Sequence, residues 1–257
     1  MDRSDLTVFA IPDFPLVKPG DNLATLILER TTDAGLTFED QDILVVTQKI
    51  VSKAEGRLVR LDTVIPSQQA LEVGQATGKD PRLVEVVLSD TREISRMRPG
   101  LLIVEHHLGF ISANAGVDHS NIDSDDQGEW VAPLPKNPDA SAQGLRHALM
   151  EATGKEIAVI INDTHNRPWR AGAVGVAIGL AGLDPIQDLR GQPDLFGNLL
   201  ASSQVSLADQ VASAATLVMG QANEGRPVAL LRGLTFTVRE DASSSDLLRP
   251  KDQNLYY

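Results

Sequence analysis

Residues 156–170 read EIAVIINDTHNRPWR, an apolar run that turns abruptly polar. The run over residues 156–161 is rich in β-branched side chains, which predicts an interior strand of an α/β sheet. Chemistry in such sheets collects just beyond the carboxyl ends of the strands, where Asp163 and Thr164 follow here. A carboxylate beside a hydroxyl is a pair of hard oxygen ligands suited to Mg²⁺ or Mn²⁺. The alternative interpretation is an ordinary polar turn broken by Pro168.

Arg167 and Arg170 close this stretch. Their guanidinium groups could bind a phosphate or a carboxylate through forked hydrogen bonds. Structural salt bridges to Asp or Glu are the other interpretation, and the sequence favours neither.

The composition excludes several classes of function. The chain of 257 residues is long enough for one large domain or two modest ones. A net charge of -12 leaves no basic excess for a general affinity for nucleic acid. The absence of cysteine excludes disulfides, thiolate catalysis and cysteine-type zinc sites. No apolar run approaches the roughly 20 residues that span a bilayer, and the charged N-terminus lacks a secretory signal. We therefore expect a cytoplasmic enzyme without a membrane or nucleic-acid partner.

The rest of the chain alternates predicted strands and helices, which indicates an α/β fold, with α+β as the alternative. Strands are predicted at 6–10, 42–47, 101–105 and 228–232, and helices at 21–30, 67–91 with a break near 77–81, 137–151 and 195–219. Residues 48–53 read as extended, with Lys49, Val51 and Lys53 on one face. The Gly/Ala-rich run 171–182 predicts tight backbone packing or a subunit contact, and the tail from Ser243 is expected to be loosely held.

Familiar nucleotide and metal motifs are missing. The stretch from Gly74 to Lys79 is one residue too short for a phosphate-binding loop, and Asp80 stands where Ser or Thr is required. The adjacent His106 and His107 point to opposite faces of an extended chain, so we interpret them as structural. Asp118, in a loop of small residues, is a second candidate metal ligand, although a single acid in a turn is usually only a turn residue. The acidic stretch that follows, through residue 126, is expected to be mobile.

Five stretches resemble, in order, the coenzyme F420-0:γ-glutamyl ligase family. They read QKIVSKAEGR (48–57), ANAGVDHSN (113–121), LPKNPDASA (134–142), NDT with RPWR (162–164 and 167–170) and MGQ (219–221). The similarity covers about 11–233 and implies a mixed-sheet ligase domain over 1–257, with 234–257 as a C-terminal tail. The flavin-binding domain of some members is not expected here. Gln48, His165 and Asn166 depart from the family pattern, which affects what is expected of base and acceptor recognition.

The resemblance implies a GTP- and divalent-metal-dependent ligase. Such an enzyme joins L-glutamate to coenzyme F420-0 by an amide bond through an acyl phosphate, and further γ-linked glutamates are a possible extension. Two Mg²⁺ or Mn²⁺ ions are implied as cofactors, with K⁺ as a further candidate ion, and GTP is the co-substrate. The family resemblance also implies a homodimer.

The resemblance assigns roles to particular residues. Asp118 and Asp163 would hold one metal ion, while Thr164 and Gln221 would help to hold a second. Lys53 would offset phosphate charge and is grouped with Asp118, Asp163 and Thr164 as catalytic. The guanine nucleotide would lie against four parts of the chain: Ile11, Pro12, Asp13 and Phe14; Gln48 and Lys53; Asn121; and Met219, Gly220, Gln221, Ala222, Asn223, Glu224, Gly225 and Arg226.

Two other functions are compatible with these residues. A metal-dependent phosphohydrolase of a nucleotide or phosphate ester could use the same oxygen ligands, because water can replace the glutamate amine. A non-catalytic nucleotide-binding or oligomerisation module is the third interpretation.

Overall fold

A five-stranded mixed sheet lies at the centre of the protein, whose computed structural model describes residues 5–122 and 128–253. The strands in chain order are β1 (Thr7–Ala10), β2 (Ile43–Thr47), β3 (Val59–Arg60), β4 (Thr91–Arg98), β5 (Leu101–His106), β6 (Ile111–Ala113), β7 (Trp130–Val131), β8 (Ala158–Arg167), β9 (Arg170–Ala181), β10 (Ile186–Asp188), β11 (Gln204–Ser206) and β12 (Val228–Arg232). The central sheet has the order β1-β12-β2-β8-β9. Strands β2 and β8 are parallel, and the other neighbours are antiparallel.

Helices cover both faces of this sheet. The α-helices of the described chain are α1 (Leu23–Asp33), α2 (Gln48–Ala54), α3 (Gln68–Thr77), α4 (Pro81–Ser89), α5 (Pro138–Thr153) and α6 (Leu207–Met219), of which α3 and α4 lie elsewhere. Alternate residues of β8 enter different cores, because successive side chains of a strand point to opposite faces. Val159 and Ile161 pack in the core that also contains buried residues of α1 and α5. Ile160 packs in the core that contains the apolar face of α6. The mixed α/β architecture predicted from the sequence is confirmed.

A second, three-stranded antiparallel sheet, β4-β5-β6, packs against α3 and α4. Its core contains Leu102 and Val104 from β5, with Val84 and Val87 from α4. The helical prediction over 67–91 is confirmed with its break, but β4 was not predicted. Its sequence, TREISRMR, is mostly exposed and polar and carries no apolar periodicity. Within the described part of the chain, no helix is long and apolar enough to cross a membrane.

The predicted end of the central strand is wrong. Strand β8 continues through Arg167, and Asp163 and Thr164 lie within it rather than beyond it. The extension forms because β9 pairs antiparallel with β8 as far as Arg170, across a turn made by Pro168 and Trp169. Trp169 has a φ of 62°, in the left-handed region. Asp163 and Thr164 therefore sit on a hairpin that projects from the sheet.

Several local predictions also need correction. Residues 48–53 are not extended but form most of α2, because a short apolar run suits either structure and here buries Ile50 and Val51 against the core. The helix predicted over 195–219 begins only at Leu207, since turns and β11 precede it. The helix predicted over 21–30 spans Leu23–Asp33 and is capped by Asn22, whose side chain accepts from the Thr25 amide. Residues 123–127, which include the acidic stretch expected to be mobile, lie outside the described residues.

The Gly/Ala-rich run forms most of β9, where it allows close packing within the chain. A Cβ added to Gly179 would lie 2.4 Å from the carbonyl carbon of Pro138 on α5. A Cβ added to Gly175 would lie 2.6 Å from the carbonyl oxygen of Ala212 on α6. The predicted tight backbone packing is confirmed, and it is directed at helices on the two faces of the sheet.

Candidate active site

The predicted site residues meet at one edge of the central sheet. Strands β1, β2 and β8 run in the same direction, so their carboxyl ends reach the same edge, together with the amino end of β12. Two backbone hydrogen bonds tie these ends together: the Ile11 amide donates to the Val228 carbonyl and the Thr47 amide to the Pro227 carbonyl, each at 2.9 Å. The topology thus brings four parts of the chain to this edge: residues 11–14, α2, the β8–β9 hairpin and residues 219–226.

A strained loop presents Asp118 to this edge. Asn114 and Ala115 have φ values of 51° and 52°, and Gly116 follows with a φ of 69°. Positive φ is costly for residues that have a Cβ, so Asn114 and Ala115 in succession indicate a loop held by its surroundings, whereas Gly116 adopts this conformation freely. Asp118 then pairs with Ala132 through two backbone hydrogen bonds of 2.8 and 2.9 Å. The loop before Asp118 and its pairing with Ala132 together fix the backbone from which the carboxylate projects.

The Asp118 carboxylate lies in a crowded electrostatic environment. Gln48 Nε2 donates to its Oδ2 at 2.7 Å, and the Lys49 ammonium lies 3.4 Å from the same oxygen. Burial raises the pKa of Asp118 above its ordinary value, Lys49 lowers it, and the neighbouring charge of Asp163 raises it again. Two carboxylates that repel each other in a partly desolvated place form an arrangement that a cation would stabilise.

Strand alternation separates the roles of Asp163 and Thr164. Asp163 and His165 lie on one face of β8, where His165 Nε2 is 2.9 Å from Asp163 Oδ2. On the other face, Thr164 Oγ1 donates to Gln221 Oε1 at 3.0 Å. Thr164 and Gln221 are thus in direct contact, and Asp163 lies near enough to Asp118 for their charges to interact.

The helical form of α2 keeps its two lysines together. Lys49 and Lys53 are four residues apart, so they occupy one face of the helix. Lys49 Nζ donates to Ser120 Oγ at 3.2 Å, and Lys53 Nζ donates to the Asn121 carbonyl at 2.8 Å. The prediction of an extended segment was wrong, but the two lysines do lie on the same side, as it predicted. Both cations contact the loop that carries Asp118.

The turn after α6 lies beside the same loop. Asn121 Nδ2 donates to the Ala222 carbonyl at 2.8 Å, and the Ala222 amide donates to Glu224 Oε2 at 2.8 Å. At the far end of the proposed nucleotide contacts, the Ile11 side chain is fully buried in the core. The whole Ile11 residue has no exposed surface and its amide is bonded to the Val228 carbonyl, whereas its neighbours Pro12 and Asp13 are exposed.

The oxygen ligands available here fit a hard divalent cation. Asp118 and Asp163 supply carboxylates, Thr164 a hydroxyl and Gln221 an amide oxygen, which are all ligands that Mg²⁺ and Mn²⁺ accept. Among residues 5–122 and 128–253, no group of three or more His, Asp or Glu side chains is placed to hold a metal ion. Mg²⁺ usually keeps several waters and binds through one or two carboxylates plus substrate phosphates. A pair of carboxylates is therefore a suitable set of protein ligands for Mg²⁺ when a substrate phosphate supplies the others.

A cavity of about 960 Å³ opens beside the carboxylates, and none of the proposed nucleotide contacts lines it. Asp118, Asp163 and Thr164 line it, and so does Arg167, whereas Arg170 does not. Its other walls come from β4, β5 and the segment around Arg249. Ligand pockets commonly fall in the range of about 300–1,000 Å³. The sequence did not indicate these walls, since they unite residues more than 150 positions apart.

Comparison with known proteins identifies the family. A family model described as F420-0:Gamma-glutamyl ligase matches residues 13–233. The chain belongs to this family. A relative from Methanothermobacter thermautotrophicus, named coenzyme F420:L-glutamate ligase, is 44% identical over 252 residues, or 98% of each chain. Relatives with the same name from Methanocaldococcus jannaschii (41% identical, 95% of this chain and 94% of the relative) and Methanopyrus kandleri (45%, 89% and 87%) are also similar.

Two of the residues expected from the sequence to depart from the family pattern contact the paired carboxylates. Gln48 donates to Asp118, and His165 lies within hydrogen-bond distance of Asp163. The His165 ring also packs on Phe110, with 5.1 Å between ring centroids. In this member of the F420-0:γ-glutamyl ligase family, Gln48 and His165 thus contact the two carboxylates proposed to bind metal.

Proposed function

We propose that this protein is a GTP- and divalent-metal-dependent ligase that joins L-glutamate to coenzyme F420-0. The observation that carries the proposal is the match, over nearly the whole chain, to relatives named coenzyme F420:L-glutamate ligase. The arrangement of the site supports it. Asp118 contacts Gln48 and Lys49 of α2 and lines the separate cavity together with Asp163, an arrangement that suits phosphoryl transfer between two bound substrates.

The chemistry follows from the poor reactivity of a carboxylate. A carboxylate oxygen of F420-0 attacks the γ-phosphorus of GTP, the bond from that phosphorus to the bridging oxygen breaks, and GDP leaves. The amine of glutamate then attacks the carbonyl carbon of the acyl phosphate. The carbon–oxygen bond breaks, inorganic phosphate leaves, and the nitrogen releases its proton. No protein nucleophile is needed, which suits a chain without cysteine.

The residues of the chain position and neutralise charge. Lys53 and Lys49 present two ammonium groups to the phosphates from one face of α2. Asp118 and Asp163 would hold one Mg²⁺ or Mn²⁺ ion, and Thr164 with Gln221 a second, with K⁺ as a further ion. Such ions, when bound, neutralise the charge that develops during phosphoryl transfer. The proposal also includes a homodimer in the cytoplasm and the addition of further γ-linked glutamates.

An omission assay tests this function. Phosphate release is measured with GTP, Mn²⁺, L-glutamate and F420-0, leaving out one component at a time, while the product mass is followed. We expect release only when all four are present, with a mass gain of one or more glutamyl units. Release without glutamate or F420-0 would instead support the phosphohydrolase, and no turnover under any condition would support the non-catalytic module.

A further inference from the structure

One wall of the cavity is the strap, which we define as residues 243–251. At its start, Ser243 Oγ donates to Asp139 Oδ2 at 2.8 Å and the Ser244 amide donates to Asp139 Oδ1 at 3.0 Å. At its end, Lys251 Nζ lies 2.7 Å from Glu105 Oε2. The strap is therefore fixed at both ends, contrary to the loosely held tail expected from the sequence. It also lies beyond residue 233, where the family match ends.

The middle of the strap packs closely against the turn at Gly109. The side chain of Leu248 lies so near Gly109 that a Cβ there would be 2.7 Å from Leu248 Cδ1. Gly109 has a φ of 96°, a conformation that glycine adopts without strain. This contact holds Leu247, Leu248 and Arg249 along the cavity wall.

Two of the basic groups in the cavity already share an acidic partner. Glu105 is 3% exposed, and it accepts from Arg92 at 2.8 Å as well as from Lys251. The hydrogen bond from Lys251 lowers the pKa of Glu105, so this carboxylate stays ionised between its two cations. Arg92 and Lys251 thus serve mainly to hold the strap and the β4–β5 sheet together.

Two further guanidinium groups lack such a partner. Arg249 makes no ion pair with any residue in the described parts of the chain. Arg167 makes only one long contact there, from Nη2 to the Gly172 carbonyl at 3.5 Å, and its Nε is buried without a hydrogen-bond partner. Burying a charged donor without a partner is costly. Arg249 is exposed, but it lines the same cavity as Arg167, whose Nε is buried without a partner. An anion in the cavity would satisfy Arg167, and the forked geometry of both guanidinium groups suits a phosphate.

The remaining walls favour a flat organic group over a second nucleotide phosphate chain. Leu101, Ile103, Phe110 and Leu247 provide an apolar surface. None of the residues proposed to contact GTP (11–14, Gln48, Lys53, Asn121 and 219–226) lines the cavity. Asp118, Asp163 and Thr164 are the proposed metal-binding residues that line the cavity.

We infer that the cavity is the acceptor pocket and that Arg167 and Arg249 bind the acceptor's phosphodiester. The apolar wall takes its ring system, and its carboxylate reaches the paired aspartates. This inference rests on the proposed function, because it assumes an acceptor that carries a ring, a phosphodiester and a carboxylate. The strap is then a determinant of acceptor specificity.

Kinetics of two variants test the inference. In Arg167→Gln and Arg249→Gln we expect the KM for F420-0 to rise about 10- to 100-fold, the loss typical of one charge-assisted hydrogen bond. The KM for GTP and kcat should change less than about twofold. Arg98→Gln, an exposed arginine on β4 outside the cavity, is the matched control and should behave as the wild type. An unchanged KM for F420-0 in both variants, or a raised KM for GTP, would overturn the inference.

A binding comparison separates anion recognition from a merely structural role. The Kd of F420-0 and the Kd of the phosphate-free deazaflavin alcohol are measured for wild type and for Arg249→Gln. We expect only F420-0 to bind more weakly to the variant. Equal weakening of both ligands would mean that the substitution disturbs the pocket wall and would contradict our assignment. A wild type without F420-0-dependent phosphate release refutes the proposed function itself, whereas an active wild type with unaltered variants refutes only the pocket assignment.

Discussion

Truncating Ile160 should destabilise the protein strongly. Its side chain is fully buried in the centre of β8, opposite Val45 of β2 and Leu180 of β9, beneath α6. The change Ile160→Ala removes three carbons at about 0.8 kcal/mol each, or about 2.4 kcal/mol of transfer free energy. The cavity left behind adds to this loss, so the total falls within about 2–5 kcal/mol.

Urea unfolding followed by circular dichroism measures this effect. Leu217→Ala is the control, because Leu217 lies on α6 but is 85% exposed, and we expect its unfolding free energy to change by less than about 0.5 kcal/mol. A loss well under about 1 kcal/mol for Ile160→Ala would refute the placement of β8 between two packed layers.

Three further predictions concern packing, pH and the paired carboxylates. Gly179→Ala should destabilise by about 1–3 kcal/mol because its Cβ meets α5, whereas Gly144→Ala, in open space on α5, should stabilise by about 0.5–1 kcal/mol; thermal unfolding of both compares them. Burial lowers the pKa of His106 to about 4, so the folded state binds fewer protons than the unfolded state below about pH 6.5. The unfolding free energy should therefore fall by up to about 3 kcal/mol between pH 6.5 and 4, and a His106→Asn variant that falls equally would contradict this. Asp163→Asn should abolish F420-0-dependent phosphate release without lowering the melting temperature, since it removes carboxylate repulsion; retained turnover would exclude its metal-binding role.

The strands of the core were predictable because their signal is local. Residues 157–161 and 43–46 are apolar on both faces, and this pattern does not depend on which partner each strand meets. The division of 67–91 into two helices was equally clear, since Pro81 can begin a helix but cannot continue one. By contrast, β4 is an exposed strand whose charged residues carry no periodic signal.

The site was predictable as a set of residues but not as an arrangement. Asp118, Asp163 and Thr164 could be named from the sequence, yet the extension of β8 depends on its pairing with β9, which is decided by non-local contacts. The cavity could not be predicted from the sequence at all. Arg167 and Arg249 face it from positions 82 residues apart, and only the fold shows that neither has an acidic partner in the described chain.

The fate of one oxygen atom tests the central claim most directly. F420-0 labelled with ¹⁸O in its carboxylate is incubated with the enzyme, GTP, Mn²⁺ and L-glutamate in ordinary water, and the released phosphate is analysed by mass spectrometry. If the carboxylate is activated as an acyl phosphate, one labelled oxygen leaves with each phosphate as the amide forms. Unlabelled phosphate would show that water attacks the nucleotide, and it would contradict the ligase mechanism at Asp118 and Asp163.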